Sequence, residues 1–226
     1  MPPWQLLDRA LTNYGGELTL STLGPHFAMR VDGQELMNSD SHGSEERLAV
    51  HGCAGLAGRA GVRVLIGGLG MGFTARAALG VLGADAEVLI VESIAAVVRW
   101  NREILGHLAG APLDDPRVSV LEGDVAETID AARERFDAIL LDVDNGPMAL
   151  TSYRNKRLYS AAGLGSARAA LRPSGVLAVW STFRDARFTA RLRETGFEVT
   201  AKRVLAGDGT PRRHVVWVAR KPPEAS

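Results

Sequence analysis

Five runs of apolar residues, each followed by an amphipathic stretch, dominate the hydrophobic pattern after Gly61. The runs are Val62–Ile66, Val88–Val91, Val118–Leu121, Ala138–Leu141 and Val176–Trp180. Because each run is hydrophobic apart from Arg63 and Ser119, it predicts a parallel strand that is covered on both faces. The stretches between the runs predict helices over Phe73–Leu82, Ala95–Leu108, Val125–Arg135 and Ala161–Leu171. With two further strands over Gly196–Thr200 and His214–Ala219, the pattern predicts an α/β fold with a doubly wound, mostly parallel sheet of seven strands.

The first part of the chain has a different pattern. Short strand-like segments are separated by turn signals at Gly24-Pro25 and Asp32-Gly33, which predict a small antiparallel sheet. The segments are Leu18–Leu20, Phe27–Val31 and Glu35–Met37. Ser44 then has acidic residues directly after it, which predicts a helix with Ser44 as its N-cap. We therefore expect a small β-hairpin region with a connecting helix over residues 1–55 and a Rossmann-like catalytic domain over residues 56–226.

Composition excludes several classes of function. The chain has 226 residues, of which 46% are hydrophobic, and its formal net charge is zero. A neutral chain is not drawn to nucleic acid or to anionic lipid, so neither is expected as a partner. The sequence has no apolar run of about 20 residues and no signal peptide at its start, which predicts a cytoplasmic protein. Cys53 has no partner for a disulfide, and the five histidines share no ligand spacing, so we expect no metal.

A glycine-rich segment joins the first apolar run to the first amphipathic stretch. It contains Gly67, Gly68, Gly70 and Gly72, immediately before the predicted helix. Glycines let the backbone approach a ligand closely, and the N-terminus of a helix offers free N–H groups to it. The same glycines would also serve in a plain turn. The segment lacks the Lys-Ser/Thr pair of a phosphate-binding loop, and its spacing departs from the G-x-G-x-x-G of nicotinamide-binding proteins.

Acidic residues stand at the ends of the second and third strands. Glu92 ends the second strand, at the position where an acidic residue accepts hydrogen bonds from ribose hydroxyls. Asp124 follows the third strand and could meet the amino group of adenine. Each residue has a structural alternative: Glu92 could begin the next helix, and Asp124 could cap the helix that starts at Val125. Together with the glycines, these residues predict a nucleoside-binding site.

Two aspartates follow the fourth strand. Asp142 and Asp144 would lie on the same side if the strand persists, in the crevice where open α/β sheets bind ligands. Burial beside each other would raise the pKa of one carboxyl and make it a general base for an amine or hydroxyl nucleophile. The alternative is that Asp144 and Asn145 belong to an ordinary Asp-Asn-Gly-Pro turn.

The order of these features resembles the spermidine synthase superfamily, which shares the class I S-adenosylmethionine-dependent methyltransferase fold. The resemblance covers residues 17 to 221 and includes Leu158–Ser160 and Leu171–Gly175 besides the segments above. It implies that Asp142, with Asp144, faces and deprotonates the acceptor and that Glu45 and Asn145 bind it. It also implies that an adenosyl cofactor is bound by Gly67, Gly68, Gly70, Gly72, Glu92, Asp124 and Val125.

Three positions depart from the pattern of that family. Aminopropyltransferases typically have an aspartate where this chain has Gly70. That aspartate suits decarboxylated S-adenosylmethionine, which has an ammonium and no carboxylate at its chain end. Beside intact S-adenosylmethionine it would meet a carboxylate, at a cost of roughly several kcal/mol when desolvated. The family's Tyr-His-Glu element appears as Ser44-Glu45-Glu46, and the glutamine of its hairpin aligns with Leu36.

These departures favour methyl transfer from S-adenosylmethionine to a small acceptor. One alternative is a polyamine aminopropyltransferase that uses decarboxylated S-adenosylmethionine and putrescine. Another is a non-catalytic relic of the fold that binds a cofactor or a partner. The predicted N-terminal sheet could cap the site or pair with a second subunit, as it does in the family, so a homodimer is also expected.

Overall fold

The structure, a computed structural model, describes residues 3–13, 15–143, 157–207 and 211–223. Asp144 and Asn145, two of the residues predicted for the site, lie outside the described residues. None of the helices in the described ranges is long and apolar enough to cross a membrane.

The N-terminal sheet has four antiparallel strands in the order of the chain. They are β1 (Gln5–Leu11), β2 (Glu17–Leu23), β3 (His26–Val31) and β4 (Gln34–Asn38). The last three were predicted, and the turns between them use Gly24 and Asp32-Gly33 with positive φ. Strand β1 was not predicted, because Leu6 and Leu7 are adjacent and break the alternation that marks a half-buried strand.

The central sheet has seven strands and confirms the predicted Rossmann-like class I methyltransferase fold. The strands are β5 (Arg63–Gly67), β6 (Glu87–Glu92), β7 (Val118–Glu122), β8 (Phe136–Leu141), β9 (Leu171–Ser181), β10 (Glu198–Leu205) and β11 (Arg213–Arg220). Their order is β10-β11-β9-β8-β5-β6-β7. Strands β9, β8, β5, β6 and β7 pair in parallel, and β11 runs antiparallel to both of its neighbours. The carboxyl ends of the parallel strands therefore meet at one edge.

Helices cover both faces of this sheet. They are α1 (Gly43–Cys53), α2 (Phe73–Val81), α3 (Ala95–Trp100), α4 (Val125–Ala131), α5 (Ala161–Ala170) and α6 (Ala186–Glu194). Successive residues of β5 point to opposite faces of the sheet, as strand geometry requires. Val64 and Ile66 pack in one core with α1, α2, α3 and the N-terminal sheet. Leu65 packs in the other core with α4, α5 and α6. The N-terminal sheet thus packs on the same side as α1 to α3.

Several helix boundaries differ from the prediction. Helix α1 begins at Gly43 after His42, so Ser44 is not its N-cap; its side chain bonds elsewhere. The helix predicted over Ala95–Leu108 is α-helical only to Trp100 and continues as a π-helical turn and a 3-10 turn. Helix α4 ends at Ala131, four residues early. Helix α6 was missed, although its buried residues Phe188 and Leu192 have the i, i+4 spacing of a helix face.

Candidate active site

The glycine segment forms a tight loop between β5 and α2. Gly68, Gly70 and Gly72 all have positive φ, at 89°, 53° and 86°. A Cβ at Gly68 would lie 2.3 Å from the backbone oxygen of Asp142, so no other residue fits there without a shift of the backbone. Gly67 allows another close approach, because its Cβ would lie 2.9 Å from Cγ2 of Val125. The glycines therefore bring β5, the start of α4 and the end of β8 together.

Glu92 holds this loop from the end of the neighbouring strand. It is buried, and its Oε2 accepts a hydrogen bond of 2.9 Å from the backbone N–H of Leu69. Its Oε1 accepts another, also of 2.9 Å, from the N–H of Ile94. Glu92 therefore supports the loop and also lines the cavity beside it.

Asp124 caps α4 and also lines the cavity beside the loop. Its Oδ1 accepts a hydrogen bond of 2.8 Å from the backbone N–H of Ala126, which confirms the capping alternative. Val125, the first residue of α4, is buried below it. A cap uses one carboxylate oxygen, so the other remains available to a ligand that donates a hydrogen bond.

Asp142 lies directly after β8, at the floor of the cavity. Its Oδ2 accepts a hydrogen bond of 2.6 Å from the hydroxyl of Thr74, in the first turn of α2. Burial raises the pKa of Asp142 to about 6, although the Thr74 bond opposes the shift. The predicted partner, Asp144, lies outside the described residues.

A different carboxyl group faces Asp142. Burial and the charge of Asp142 raise the pKa of Glu45, on α1, to about 8, against the effect of a hydrogen bond from Ser44. Because the two groups interact, their protons belong to the pair rather than to either residue. Both shifts favour retention of a proton by the pair at a pH where isolated carboxyl groups are ionised. One carboxylate can therefore accept a proton while its neighbour is able to donate one.

One cavity of about 320 Å³ collects most of the predicted site residues. A volume of this size is in the range of small-molecule sites. From the glycine loop and the strand ends it is lined by Gly68, Gly70, Glu92, Asp124, Val125 and Asp142. Gly67 and Gly72 shape the loop, and Glu45 reaches the site through its interaction with Asp142. Among the residues that the structure describes, no three His, Cys, Asp or Glu side chains lie together as a metal site would require.

The N-terminal sheet forms the roof of this cavity, which the sequence did not specify. The roof residues are apolar and come from β2, β3 and β4: Leu18, Met29, Leu36 and Met37. Asn13 links the sheet to the end of β6, because its Nδ2 donates a hydrogen bond of 2.6 Å to the backbone oxygen of Ser93. The cavity is therefore enclosed by both sheets.

Solved structures with the same fold include spermidine synthases. A spermidine synthase from Thermotoga maritima superposes with a TM-score of 0.76 at 17% identity, over 97% of this chain and 73% of that one. The fold is that of the spermidine synthases. A spermidine synthase in complex with the transition-state analogue AdoDATO gives 0.73 at 18% identity, with the same coverage. A probable spermidine synthase from Corynebacterium glutamicum gives 0.68 at 16% identity, over 100% of this chain and 83% of that one.

These structures confirm the spermidine synthase-like fold that the sequence predicted. Sequence comparison adds nothing to it, since no protein-family model and no curated protein matches the chain. Identities of 16–18% leave the reaction to be argued from the site, because one fold supports many reactions.

Proposed function

We propose that this chain is a transferase that binds S-adenosylmethionine and moves its methyl group to a small amine or hydroxyl acceptor. The observation that supports this most is the shared cavity: the loop after β5, Glu92 after β6, Asp124 after β7 and Asp142 after β8 all line it. Ligands of open α/β sheets bind at this edge.

The donor side of the cavity fits an adenosyl group. Glu92 would accept hydrogen bonds from the ribose hydroxyls, and Asp124 would offer its second oxygen to the adenine amino group. The glycine loop permits close approach of the backbone. When bound, such a donor supplies a carbon that a sulfonium has activated towards nucleophiles. The AdoDATO complex of a spermidine synthase with the same fold supports an adenosyl ligand in this cavity.

The acceptor side is formed by Asp142 and Glu45. Asp142 would hold the nucleophile through a hydrogen bond and take its proton as general base. Thr74 donates to the Oδ2 of Asp142 and so fixes the orientation of that carboxylate. Alignment of the nucleophile with the donor carbon would supply much of the acceleration.

Gly70 favours intact S-adenosylmethionine as the donor. It lines the cavity without a charged side chain, and the space beside it is filled by the thioether of Met37. A donor that keeps its carboxylate therefore meets no acidic group at this position.

A second candidate is aminopropyl transfer from decarboxylated S-adenosylmethionine to putrescine. In the described part of the chain, the cavity is lined by the carboxylates Glu92, Asp124, Glu127 and Asp142 and by no lysine or arginine. Such a lining favours cationic ligands. The decarboxylated donor is more cationic than intact S-adenosylmethionine, and putrescine is more cationic than a neutral acceptor.

Calorimetry separates these candidates. The protein is titrated with S-adenosylmethionine, its decarboxylated form, methylthioadenosine and S-adenosylhomocysteine. Of the two donors, S-adenosylmethionine should bind more tightly than its decarboxylated form. Tighter binding of the decarboxylated form would favour aminopropyl transfer. Binding of none of the four ligands would contradict both and leave a relic of the fold.

Turnover tests the acceptor side separately. With labelled S-adenosylmethionine and a panel of amines and alcohols, the wild type should produce a methylated product visible by mass spectrometry. Asp142→Asn should abolish this product while it leaves donor binding within about 3-fold of wild type, since the donor residues are untouched. Asp114→Asn, a carboxylate in an exposed turn, is the control and should retain turnover. Unchanged turnover in Asp142→Asn would remove its assigned role.

A further inference from the structure

A buried hydrogen-bonded chain leads from Glu45 across α1 to β11. The Ser44 hydroxyl donates a hydrogen bond of 2.7 Å to Oε2 of Glu45. The same Oγ lies 2.9 Å from Nδ1 of His214, which is 170 positions further along the chain. Ser44 is fully buried and His214 is 6% exposed. No motif in the sequence links these residues, and only the packing of α1 on β11 brings them together.

The donor and acceptor in each of these two hydrogen bonds follow from the number of protons available. A serine hydroxyl has one proton, and Ser44 gives it to Glu45. Nδ1 of His214 must therefore be the donor in its contact with Ser44. Burial, together with the charge of Arg212, lowers the pKa of His214 to about 4, so the ring is neutral at physiological pH. A neutral ring with its proton on Nδ1 has a bare Nε2.

The contact with Ser44 is the hydrogen bond that explains a histidine at this position. Nε2 of His214 is buried and has no hydrogen-bond partner among the described residues. The same holds for Nε1 of Trp180, whose ring lies 4.8 Å away between centroids. Burial of a polar ring costs free energy, which an apolar residue of similar shape would avoid. Among the groups that the structure describes, the Ser44 hydroxyl is therefore the one hydrogen-bond partner of this imidazole.

Both donors act on Glu45 in the same direction. A hydrogen bond to a carboxylate favours its ionised form, and Ser44 lowers the pKa of Glu45 against burial and the charge of Asp142. The Nδ1–H of His214 polarises the Ser44 hydroxyl and strengthens its bond to Glu45. The other charged groups near these hydrogen bonds are Glu46 on α1, Arg76 on α2, which pairs with Glu46, and Arg212 before β11.

We propose that Ser44 and His214 are positioning residues that keep Glu45 able to release its own proton when Asp142 takes a proton from the acceptor. This inference rests on the proposed function. The N–H or O–H bond of the acceptor breaks, its electron pair stays on the acceptor atom, and an O–H bond forms on Asp142. The carboxyl pair then holds one proton too many. Glu45, which is half-buried, loses its proton to solvent water, and the Ser44 bond stabilises the carboxylate that remains.

The proposal can be tested in the protein without any ligand. Carbon-detected NMR follows the side-chain carboxyl of Glu45 from pH 5 to 10 in the wild type, Ser44→Ala, His214→Phe and His214→Gln. Ser44→Ala and His214→Phe should raise the titration midpoint of Glu45 by about 1 pH unit or more. His214→Gln should restore most of the shift, because the amide can donate to Ser44 and the phenyl ring cannot.

Two matched variants separate this effect from general loss of packing. Ser41→Ala removes a hydroxyl that contacts the backbone oxygen of Ala206, and His51→Phe changes a histidine on α1 whose Nδ1 faces Lys202. Both should leave the midpoint of Glu45 within about 0.3 units of wild type. If His214→Phe does not fold, the titration midpoint of Glu45 in Ser44→Ala alone decides the proposal. An unshifted Glu45 in folded Ser44→Ala would overturn the proposal, whether or not calorimetry finds an adenosyl ligand.

Discussion

Met37 of the N-terminal sheet lies directly against Gly70 of the glycine loop. A Cβ added at Gly70 would lie 3.1 Å from Cε and 3.2 Å from Sδ of Met37, and Gly70 has a φ of 53°. The thioether therefore occupies the space that a side chain at this position would need. The roof of the cavity thus packs against its loop at Gly70, the position that we propose favours a donor with a carboxylate.

Gly70→Asp should destabilise the protein by about 1–3 kcal/mol, because it adds both backbone strain and a clash with Met37. Urea unfolding measures the loss. Met37→Ala in the same chain should recover part of it, which a double-mutant cycle detects as coupling. Gly80→Asp, where an added Cβ meets nothing within 4 Å, is the control. Equal losses at both glycines would contradict the close contact.

The same double variant tests the choice of donor. With Met37→Ala making room, the carboxylate of Gly70→Asp would face the donor's chain end. It should weaken S-adenosylmethionine relative to its decarboxylated form by about 10-fold or more, since a desolvated pair of like charges costs more than 1 kcal/mol. Calorimetry with both donors measures the ratio. An unchanged ratio would mean that Gly70 does not face the chain end.

Glu92→Gln should reduce the affinity for methylthioadenosine by about 10-fold to 100-fold, because hydrogen bonds to a charged acceptor are worth about 1.5–3 kcal/mol. The amide also offers an N–H to Leu69 or Ile94, both of which are donors themselves. Calorimetry measures the change. Glu122→Gln, on the adjacent strand in register with Glu92 but exposed, is the matched control and should bind as wild type does. Equal affinities in the two variants would remove Glu92 from the site.

The strand ends of the candidate site could be predicted from the sequence because each follows a run of apolar residues. Parallel strands bring their carboxyl ends to one edge, so the positions of Glu92, Asp124 and Asp142 followed from the alternation alone. The apolar runs of β5, β6 and β8 are strong signals because these strands are mostly buried on both faces and lack polar alternation. The run that forms the edge strand β7 is largely exposed, so the prediction that it is covered on both faces was wrong.

The neighbours of Glu45 could not be predicted, because they depend on packing between distant segments. Ser44 has the sequence of an N-cap, but the packing of α1 turns its hydroxyl towards His214 on β11. Met37 approaches Gly70 only because the N-terminal sheet packs over α2 and α3. Contacts between elements far apart in the chain leave no periodic signal, whereas local patterns do.

The carboxyl pair should make stability fall as pH rises. Glu45 has a folded pKa of about 8 against 4.5 when unfolded, so the folded state holds the extra proton between these values. Its stabilising contribution is complete below pH 4.5 and is lost as pH rises through about 8. Glu45→Gln should remove the slope between about pH 6 and pH 8, leaving the part due to Asp142 below it, and exceed the wild type by about 1–2 kcal/mol at pH 8. Urea unfolding from pH 5 to 9 measures both slopes, and parallel slopes would refute the shift.

Asp8 links the N-terminal sheet to α3 by hydrogen bonds and should contribute to the free energy of unfolding. Its Oδ2 accepts hydrogen bonds of 2.7 Å from Nε1 of the fully buried Trp100 and 2.6 Å from Arg99. Asp8→Ala leaves the buried indole N–H without an acceptor, at a cost of about 1–3 kcal/mol in urea unfolding. Asp130→Ala, which breaks a surface pair with Arg157, should cost about 0–1 kcal/mol. Similar losses in both variants would mean that the Trp100 bond adds nothing.

Strand β1 is the outer strand of the N-terminal sheet and has the features of a contact with a second copy of the chain. Trp4, Leu6 and Leu11 are 39%, 42% and 73% exposed, and β1 has a sheet partner on one side only among the described strands. Unpaired edges with apolar side chains are sites of association, and most homo-oligomers are two-fold dimers. We therefore expect light scattering after gel filtration to give the mass of a dimer.

Leu6→Lys with Leu11→Lys should convert that dimer to a monomer, because two charges per copy would meet their symmetry mates across the interface. The control is Leu205→Lys, which adds a charge at an exposed leucine of β10, the outer strand of the central sheet. This variant should remain dimeric. A dimer that survives both lysines on β1 but dissociates with Leu205→Lys would assign the interface to β10 instead. A monomeric wild type at about 100 µM would exclude a dimer of even modest affinity, since that concentration corresponds to about 5.5 kcal/mol.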